Sequence, residues 1–507
     1  MYFLCGNVYL CTMGIVFRQS VKTTIVIFVG AFLGALLIFL STRMVPKQEL
    51  GFTRNLTYQA LLFSQVLLFG LQGTIAVYIH RYDNEDKRRK ALITVCLLLP
   101  LLFMILGTII YVLFKEQIIS LSQPQDIPFM KRYFMWVPLF TFFIAYQSLL
   151  ELYLSSQTKV AVATFMREVV LRVLNIILIL LFGFNYISFD LLVAGTVMIY
   201  SVPMLLLIFF SYRTKGFGFS FDFKVFTRSE YREIFHFSWY NTLLSVSLTL
   251  MGVIDSLMLA SIDKRGLSSV AVYMIATFVM SVLYIPYKAM VPAAFPDLAR
   301  AFKEKNMEKA KDVFIRTSLN ILITSVCLVV VVCCNLNNIT AILPKGYGAV
   351  TLLVMIMVIG RVVDIATGMN DQLITASPYY KFNFYMSVML VLLMIAFNAL
   401  LIPFYSYYGA AWAMSIALTI YNIGKLIFVY AKLHILPFTA NTLLVFIGAG
   451  AALVAGYFLP FILNPYVDTV VRSGVIVMVY ILMLLWLKPS KDLEVYLASI
   501  KKNKRLF

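Results

Sequence analysis

The chain of 507 residues is 62% hydrophobic and only 13% charged, with 42 Lys and Arg against 23 Asp and Glu, a formal net charge of +19 and a mean hydropathy of +0.90. A soluble chain of this size would carry about a quarter charged residues, so a water-soluble multidomain enzyme is excluded. Apolar runs of the length needed to cross hydrocarbon, about 20 residues each, recur from end to end and exclude a β-barrel, whose strands are about ten residues of alternating polarity.

In chain order the runs fall near 22–41, 57–79, 92–114, 133–154, 165–184, 189–211, 237–261, 267–287, 317–335, 347–369, 383–403, 408–430, 438–462 and 469–487. They predict an all-α polytopic membrane protein of about 14 transmembrane helices. With both termini inside, thirty of the 42 basic residues fall in cytoplasmic segments, ten in external ones, and two, Arg172 and Arg361, within spans. That asymmetry is the positive-inside signature and sets the orientation. It also accounts for the net charge without nucleic acid, through topology and attraction to anionic headgroups.

The first 17 residues, "MYFLCGNVYLCTMGIVF", lack a basic n-region and a cleavage site, so no signal peptide is assigned. Met13 is a candidate start, opening "MGIVFRQSVKTT". Arg18 and Arg43 sit near the ends of the first span, and Arg54 lies before the second. The six cysteines, Cys5, Cys11, Cys96, Cys327, Cys333 and Cys334, show no metal-ligand spacing. The sequons at Asn55 and Asn338 read as chance. No P-loop, HExxH or GxSxG motif is present, and no connection is long enough to form a catalytic domain. No cofactor is expected, apart from a coupling H⁺ or Na⁺.

Charges inside apolar runs are costly, about 2.5–3.5 kcal/mol each near the bilayer centre on insertion scales, and therefore mark interior faces. The fifth run reads "FMREVVLRVLN", placing Arg167, Glu168 and Arg172 at its cytoplasmic half. Asp255 lies deep in "LMGVIDSLML" with no basic residue within a turn or two, which makes it a candidate for ion coupling or for a cross-helix pair. Lys288 lies in "IPYKAMVPAAFP", where Pro286 and Pro292 should kink the helix. In "VIGRVVDIATG" Arg361 and Asp364 share one helix face at i,i+3. They are either a self-neutralising structural pair or a cavity cation with its acid, and Asp364 is the second coupling candidate. Lys425 completes the set as a boundary anchor or ligand. A cavity lined by Arg361, Lys288, Arg172, Arg54 and Lys425 would favour a phosphate-bearing anion.

The two halves echo one another. "HRYDNEDKRRKAL" from His80 and "DLARAFKEKNMEKAKD" from Asp297 are similar basic-acidic connectors, and Asn175 and Tyr200 recur about 220 residues later as Asn398 and Tyr421. The reading is two six-helix bundles related by a pseudo-two-fold, 22–211 and 237–433. They are joined by a cytoplasmic connector 212–236 and preceded by a cytoplasmic segment 1–21. Two further spans at 434–487 and a basic cytoplasmic tail at 488–507 complete the chain. Parallel repeats of this kind are a transporter architecture.

Three stretches carry a family resemblance: "FRQSVKTTI" from Phe17; "IPYKAMVPAAFPDLARAF" from Ile285; and the region from "TGMNDQLITASPYYKFNFY" at Thr367 through "NALLIPFYSYYGAAWA" to "YNIGKLIFVYAKLHILPF". In these and in span number and orientation the chain resembles bacterial polysaccharide and O-antigen repeat-unit flippases of the multidrug/oligosaccharidyl-lipid/polysaccharide (MOP) exporter superfamily. The resemblance implies a V-shaped pair of bundles around a cavity in the bacterial inner membrane. It implies transport, not enzymatic catalysis, of undecaprenyl-diphosphate-linked oligosaccharide for O-antigen, lipopolysaccharide or capsule, alongside other polysaccharide-assembly proteins. By position only, Arg361, Lys288, Arg54 and Arg172 become candidate headgroup contacts. Two alternatives stand beside it: a multidrug or cation antiporter of the same fold, marked by an acidic cavity, and an O-antigen polymerase or ligase, which would need a large external catalytic loop.

Overall fold

In hydrocarbon every backbone N–H and C=O must find a partner within the protein, and a helix meets that demand locally. The computed structural model describes residues 3–83, 86–157 and 159–490, with side chains at residue 23 and from residue 25 onward; Arg18, the Met13 side chain and the tail beyond 490 lie outside the described residues. Among the described residues every regular element is a helix. Ten helices are long and apolar enough to span a membrane, or 12 when two bent pairs are each taken as one span. Two further expected spans are present in other forms. Val160–Phe165, Met166–Val170 and Leu171–Gly183 run on as consecutive helical segments through a π turn. Lys381–Leu433 contains two spans, divided at Ser406 (φ 54°, ψ −136°).

The division at Ser406 is a reversal. In a straight helix residues 401 and 409 would lie about 12 Å apart, yet a Cβ on Gly409 would come within 2.3 Å of the Leu401 carbonyl oxygen. Only glycine permits that approach. Of the kinks expected at Pro286 and Pro292, one bend is present beside Pro286, while Pro292 lies inside the unbroken helix Ile285–Lys303. Leu267–Leu283 and Ile285–Lys303 meet at 41°, with Pro286 in the first turn of the second helix, where its missing N–H costs least.

Residue contacts group the chain into two units, 1–271 and 272–507. In the first, Trp136–Ser156 packs on Lys47–Leu67, Leu71–Tyr78 and Ser201–Tyr212. Arg228–Ile262, which the sequence reading placed at the start of the second bundle, packs on Lys47–Leu67 and Leu71–Tyr78. Its start is written in "TRSE": the Glu230 N–H donates to Thr227 Oγ1 and the Thr227 N–H to Glu230 Oε2, a reciprocal cap. In the second unit, Val350–Ala366 packs on Lys381–Leu433, and Met307–Cys334 on Ile285–Lys303 and Ala440–Phe458. Large apolar side chains such as Phe32, Leu113, Leu392 and Phe404 face outward, as lipid contact requires, while Ser, Thr and Asn lie buried between helices. The protein is a multi-pass membrane protein. Asn55 and Asn338 are both buried within helices, which removes the two sequons from any accessible surface.

Candidate functional site

In the first unit a continuous ion-pair chain crosses three helical elements. A π turn adds a residue to a helical turn and re-aims the side chains beyond it; here it spans Met166–Val170 and carries Arg167 and Glu168. Arg167 Nη1 bonds Glu151 Oε2 at 3.2 Å and its Nε bonds Glu168 Oε1 at 3.3 Å. Arg172 Nη2 reaches Glu168 Oε2 at 2.6 Å, and its Nη1 donates to the carbonyl of Gly30 on the first helix. Gln147 closes the far end, donating to Glu151 Oε1 at 2.9 Å. Two guanidinium groups are thus matched by two carboxylates.

Glu151 and Arg167 border a cleft of about 900 Å³, lined also by Gln65, Gln72, Ser148, Ser155, Thr164, Ser245 and Thr249. The same lining holds a second network, in which Gln72 donates to Gln65 Oε1 at 2.6 Å and to Ser245 Oγ at 3.3 Å. This is a hydrogen-bonding surface within a unit whose outside is apolar. It can hold a hydrophilic, polyhydroxylated or amide-bearing group away from hydrocarbon.

Arg54 occupies a separate cavity of about 430 Å³ with Ser41, Thr53, Thr57, Asn175, Thr196 and Tyr200. The sequence reading placed it before the second span, because that apolar run begins at 57. The helix begins at Lys47, so Arg54 lies two turns inside it. Among the described residues no carboxylate and no hydrogen-bond acceptor reaches its guanidinium; its neighbours are the hydroxyls of Tyr58 and Tyr200. Asp255 is buried on Arg228–Ile262, beside the equally buried Ser256.

In the second unit Arg361 Nη1 bonds Asp364 Oδ2 at 2.8 Å, and the guanidinium lies 4.9 Å from the centroid of the Tyr284 ring. Asp364 Oδ1 accepts from Asn422 Nδ2 at 3.1 Å, and Asn422 Oδ1 from Thr367 at 3.0 Å. Lys425 is 1% exposed and pairs with Asp371 and with the hydroxyl of Tyr421. Tyr421 in turn donates to Asp371 Oδ1 at 3.2 Å. Tyr287 stacks on Tyr284 at 4.4 Å and donates to Gln372 at 2.9 Å. Lys288, one residue further on, stands on the exposed side of its helix.

The structure brings Arg361, Asp364 and Lys425 into one polar seam and keeps Arg54 and Arg172 in distinct places of the first unit. Most of these cations have a carboxylate partner, so the basic lining expected from sequence is largely neutralised. The partners Glu151 and Asp371 lie 16 and 54 positions from their cations in the chain, beyond the reach of helix-spacing arguments. One buried pair escaped the sequence reading although its signal was local. Arg472 and Asp468, at i,i+4, bond at 2.9 and 3.1 Å, and Asp468 also accepts from Asn338 at 2.6 Å. Arg472 donates to the carbonyls that end Ala440–Phe458, which makes this pair a clamp between the last two helices.

Residues 16–302 match the family model described as polysaccharide biosynthesis protein. Comparison with curated proteins returns no match. The fold is similar to that of the lipid II flippase MurJ in an inward closed conformation, with a TM-score of 0.73 at 15% identity over 92% of this chain and 99% of that one. It is also similar to an inward-facing multidrug resistance MATE transporter of the MOP superfamily, at TM-score 0.64 and 16% identity over 80% and 94% of the two chains. A MOP transporter from Pyrococcus furiosus, described as having a binding pocket of reverse polarity, gives TM-score 0.58 and 16% identity over 83% and 97%. At these identities the likeness is one of fold.

Proposed function

We propose, from the premise that this chain belongs to the polysaccharide biosynthesis protein family, that it is a flippase for undecaprenyl-diphosphate-linked oligosaccharides. It acts by alternating access, moving repeat units of an O-antigen, lipopolysaccharide or capsule from the cytoplasmic to the periplasmic leaflet of the bacterial inner membrane, with both termini cytoplasmic. It makes and breaks no covalent bond of its substrate. The observation that carries the reading is the cleft of the first unit: some 900 Å³ lined by Gln65, Gln72, Ser148, Glu151, Arg167 and their neighbours, in a chain otherwise built to face lipid.

The physical task fits such a cleft. A diphosphate and several sugars cannot cross hydrocarbon, whereas a polyprenyl tail can remain in it. The protein has only to shelter the headgroup. Arg54, with no acid beside it among the described residues, is the first candidate for a phosphate oxygen, since its donor fork suits that geometry. Arg172, Arg361 and Lys425 are later candidates, because each is committed to a carboxylate or a carbonyl, and Lys288 on the exposed side of its helix is another. Net movement needs differential binding or an ion gradient, and Asp255 and Asp364 are the carboxylates proposed to carry a coupling H⁺ or Na⁺.

Deleting the gene and following lipid-linked oligosaccharides in both leaflets tests this. Complete repeat units accumulating on the cytoplasmic side support it. Single units accumulating outside would make the protein a polymerase, and an unchanged lipid pool with new drug sensitivity would make it an exporter.

A further inference from the structure

We infer that the cleft of the first unit selects oligosaccharides whose sugars carry no charge, and that Glu151 sets this preference by holding Arg167 in an ion pair. The inference rests on the flippase reading and names the class of headgroup that the cleft accepts.

Among the described residues two charged side chains line the cleft, Glu151 and Arg167, and they are bonded to each other at 3.2 Å. Behind them Glu168 and Arg172 balance in the same way. The Arg167 side chain is 56% exposed, so its guanidinium borders the cleft. Alone it would present a fork for a carboxylate. Paired, it has Glu151 on one side and Glu168 on the other, and an incoming uronic acid would meet a carboxylate already in place. Like charges facing one another across a partly desolvated site cost enough to exclude a ligand. Neutral sugar hydroxyls meet no such barrier. They can donate to and accept from the amides of Gln65 and Gln72 and the hydroxyls of Ser148, Ser155, Thr164, Ser245 and Thr249, groups with both capacities. Selection therefore arises from a repulsive element as much as from an attractive one.

The test uses the full chain reconstituted in vesicles with two undecaprenyl-diphosphate oligosaccharides of equal length, one neutral and one with a single hexose replaced by the corresponding uronic acid. The readout is the ratio of their initial flipping rates. The wild type is expected to favour the neutral lipid about tenfold or more, the change that ~1.4 kcal/mol produces. Glu151→Gln, which frees one side of Arg167, should shrink that ratio about tenfold, while Glu151→Asp keeps it. Arg167→Gln, which leaves the carboxylates in excess, should widen it, and serves where Glu151→Gln does not fold. Equal lowering of both rates with the ratio intact, in both Gln variants, would make the ion pair a structural brace and overturn the inference. A wild type that moves the acidic lipid as fast as the neutral one would also overturn it, leaving the flippase reading standing. Movement of neither lipid would bring down the flippase reading itself, and this inference with it.

Discussion

The side-chain amide of Asn241 donates to the backbone carbonyl of Gly70 at 2.7 Å. Gly70 lies at the break between Lys47–Leu67 and Leu71–Tyr78, where the two segments of one span meet at 55°. The Gly70 carbonyl already accepts the Thr74 N–H of the helix that follows, at 3.2 Å, and Asn241 on Arg228–Ile262 adds a donor from a neighbouring helix, while Thr74 Oγ1 meets Ser238 Oγ across the same contact at 2.6 Å. The bend is therefore a seat for the neighbouring helix.

Gly70 should not tolerate a side chain. Its φ is +65°, and a Cβ there would come within 2.2 Å of the Ser238 carbonyl oxygen. Left-handed backbone alone costs a residue with a Cβ about 1–2 kcal/mol, and the clash adds to it. Gly70→Ala is expected to lower the thermal midpoint in detergent clearly, and Asn241→Leu to lower it less, by about one buried hydrogen bond. Equal midpoints for wild type and Gly70→Ala would show that the break can re-form elsewhere.

The Arg361–Asp364 pair separates structure from function through a double-mutant cycle. Each partner is held by more than the other: Arg361 by the Tyr284 ring, Asp364 by Asn422. Removing one strands a charge, at a cost of up to about 3–5 kcal/mol where the site is buried, whereas removing both can be nearly neutral. Arg361→Ala and Asp364→Ala should each destabilise, and the double variant should recover most of the loss. Under the proposed function Arg361→Ala also stops translocation while still inserting. Recovery of transport in the double variant would place the pair among the structural braces.

The solvent determines how much of the fold was legible in the sequence. Lipid forces long apolar runs, so nearly every span could be located, and Pro286 announced the bend at Tyr284, whereas Pro292 is accommodated inside a continuous helix. The helix from Lys47 was read ten residues late because its first turns, "KQELGFTRNLTYQ", bury Thr53 and Asn55 against protein and carry no apolar signal. The reversal at Ser406 depends on backbone geometry that "PFYSYYG" does not spell out. Cations inside apolar runs stand out in the sequence, although Arg472 was missed, and so does a pair at helix spacing such as Arg361 and Asp364, but not a pairing between helices. Asp371 and Glu151 meet Lys425 and Arg167 only through packing, and the π turn that aims Arg167 leaves no periodic trace.

Lys425 and Asp371 predict an asymmetry. The lysine is 1% exposed, whereas the Asp371 side chain is 43% exposed. Lys425→Met leaves a carboxylate that water can still solvate, so its cost should be small. Asp371→Asn leaves a buried ammonium held in this seam by the Tyr421 hydroxyl, and should destabilise more. Thermal unfolding of the two variants side by side decides the order. The reverse order would mean that Lys425 reaches water in a way its burial does not suggest.

Arg54 differs from every paired cation in what its removal should do. Among the described residues no acid is paired with it, so Arg54→Gln strands no charge there and should leave the thermal midpoint close to that of wild type. Its guanidinium faces a cavity of hydroxyls and the Asn175 amide, where a half-buried positive charge attracts an anion more strongly than in open water. If Arg54 holds a phosphate oxygen of the transported headgroup, Arg54→Gln should slow flipping at least about tenfold at unchanged stability. Arg54→Lys, which keeps the charge but loses the fork, should fall between the two. Flipping rates measured beside unfolding midpoints separate the cases. Full activity in Arg54→Gln would remove this residue from the substrate path, and a large loss of stability would show that the Tyr58 and Tyr200 hydroxyls hold it as a structural group.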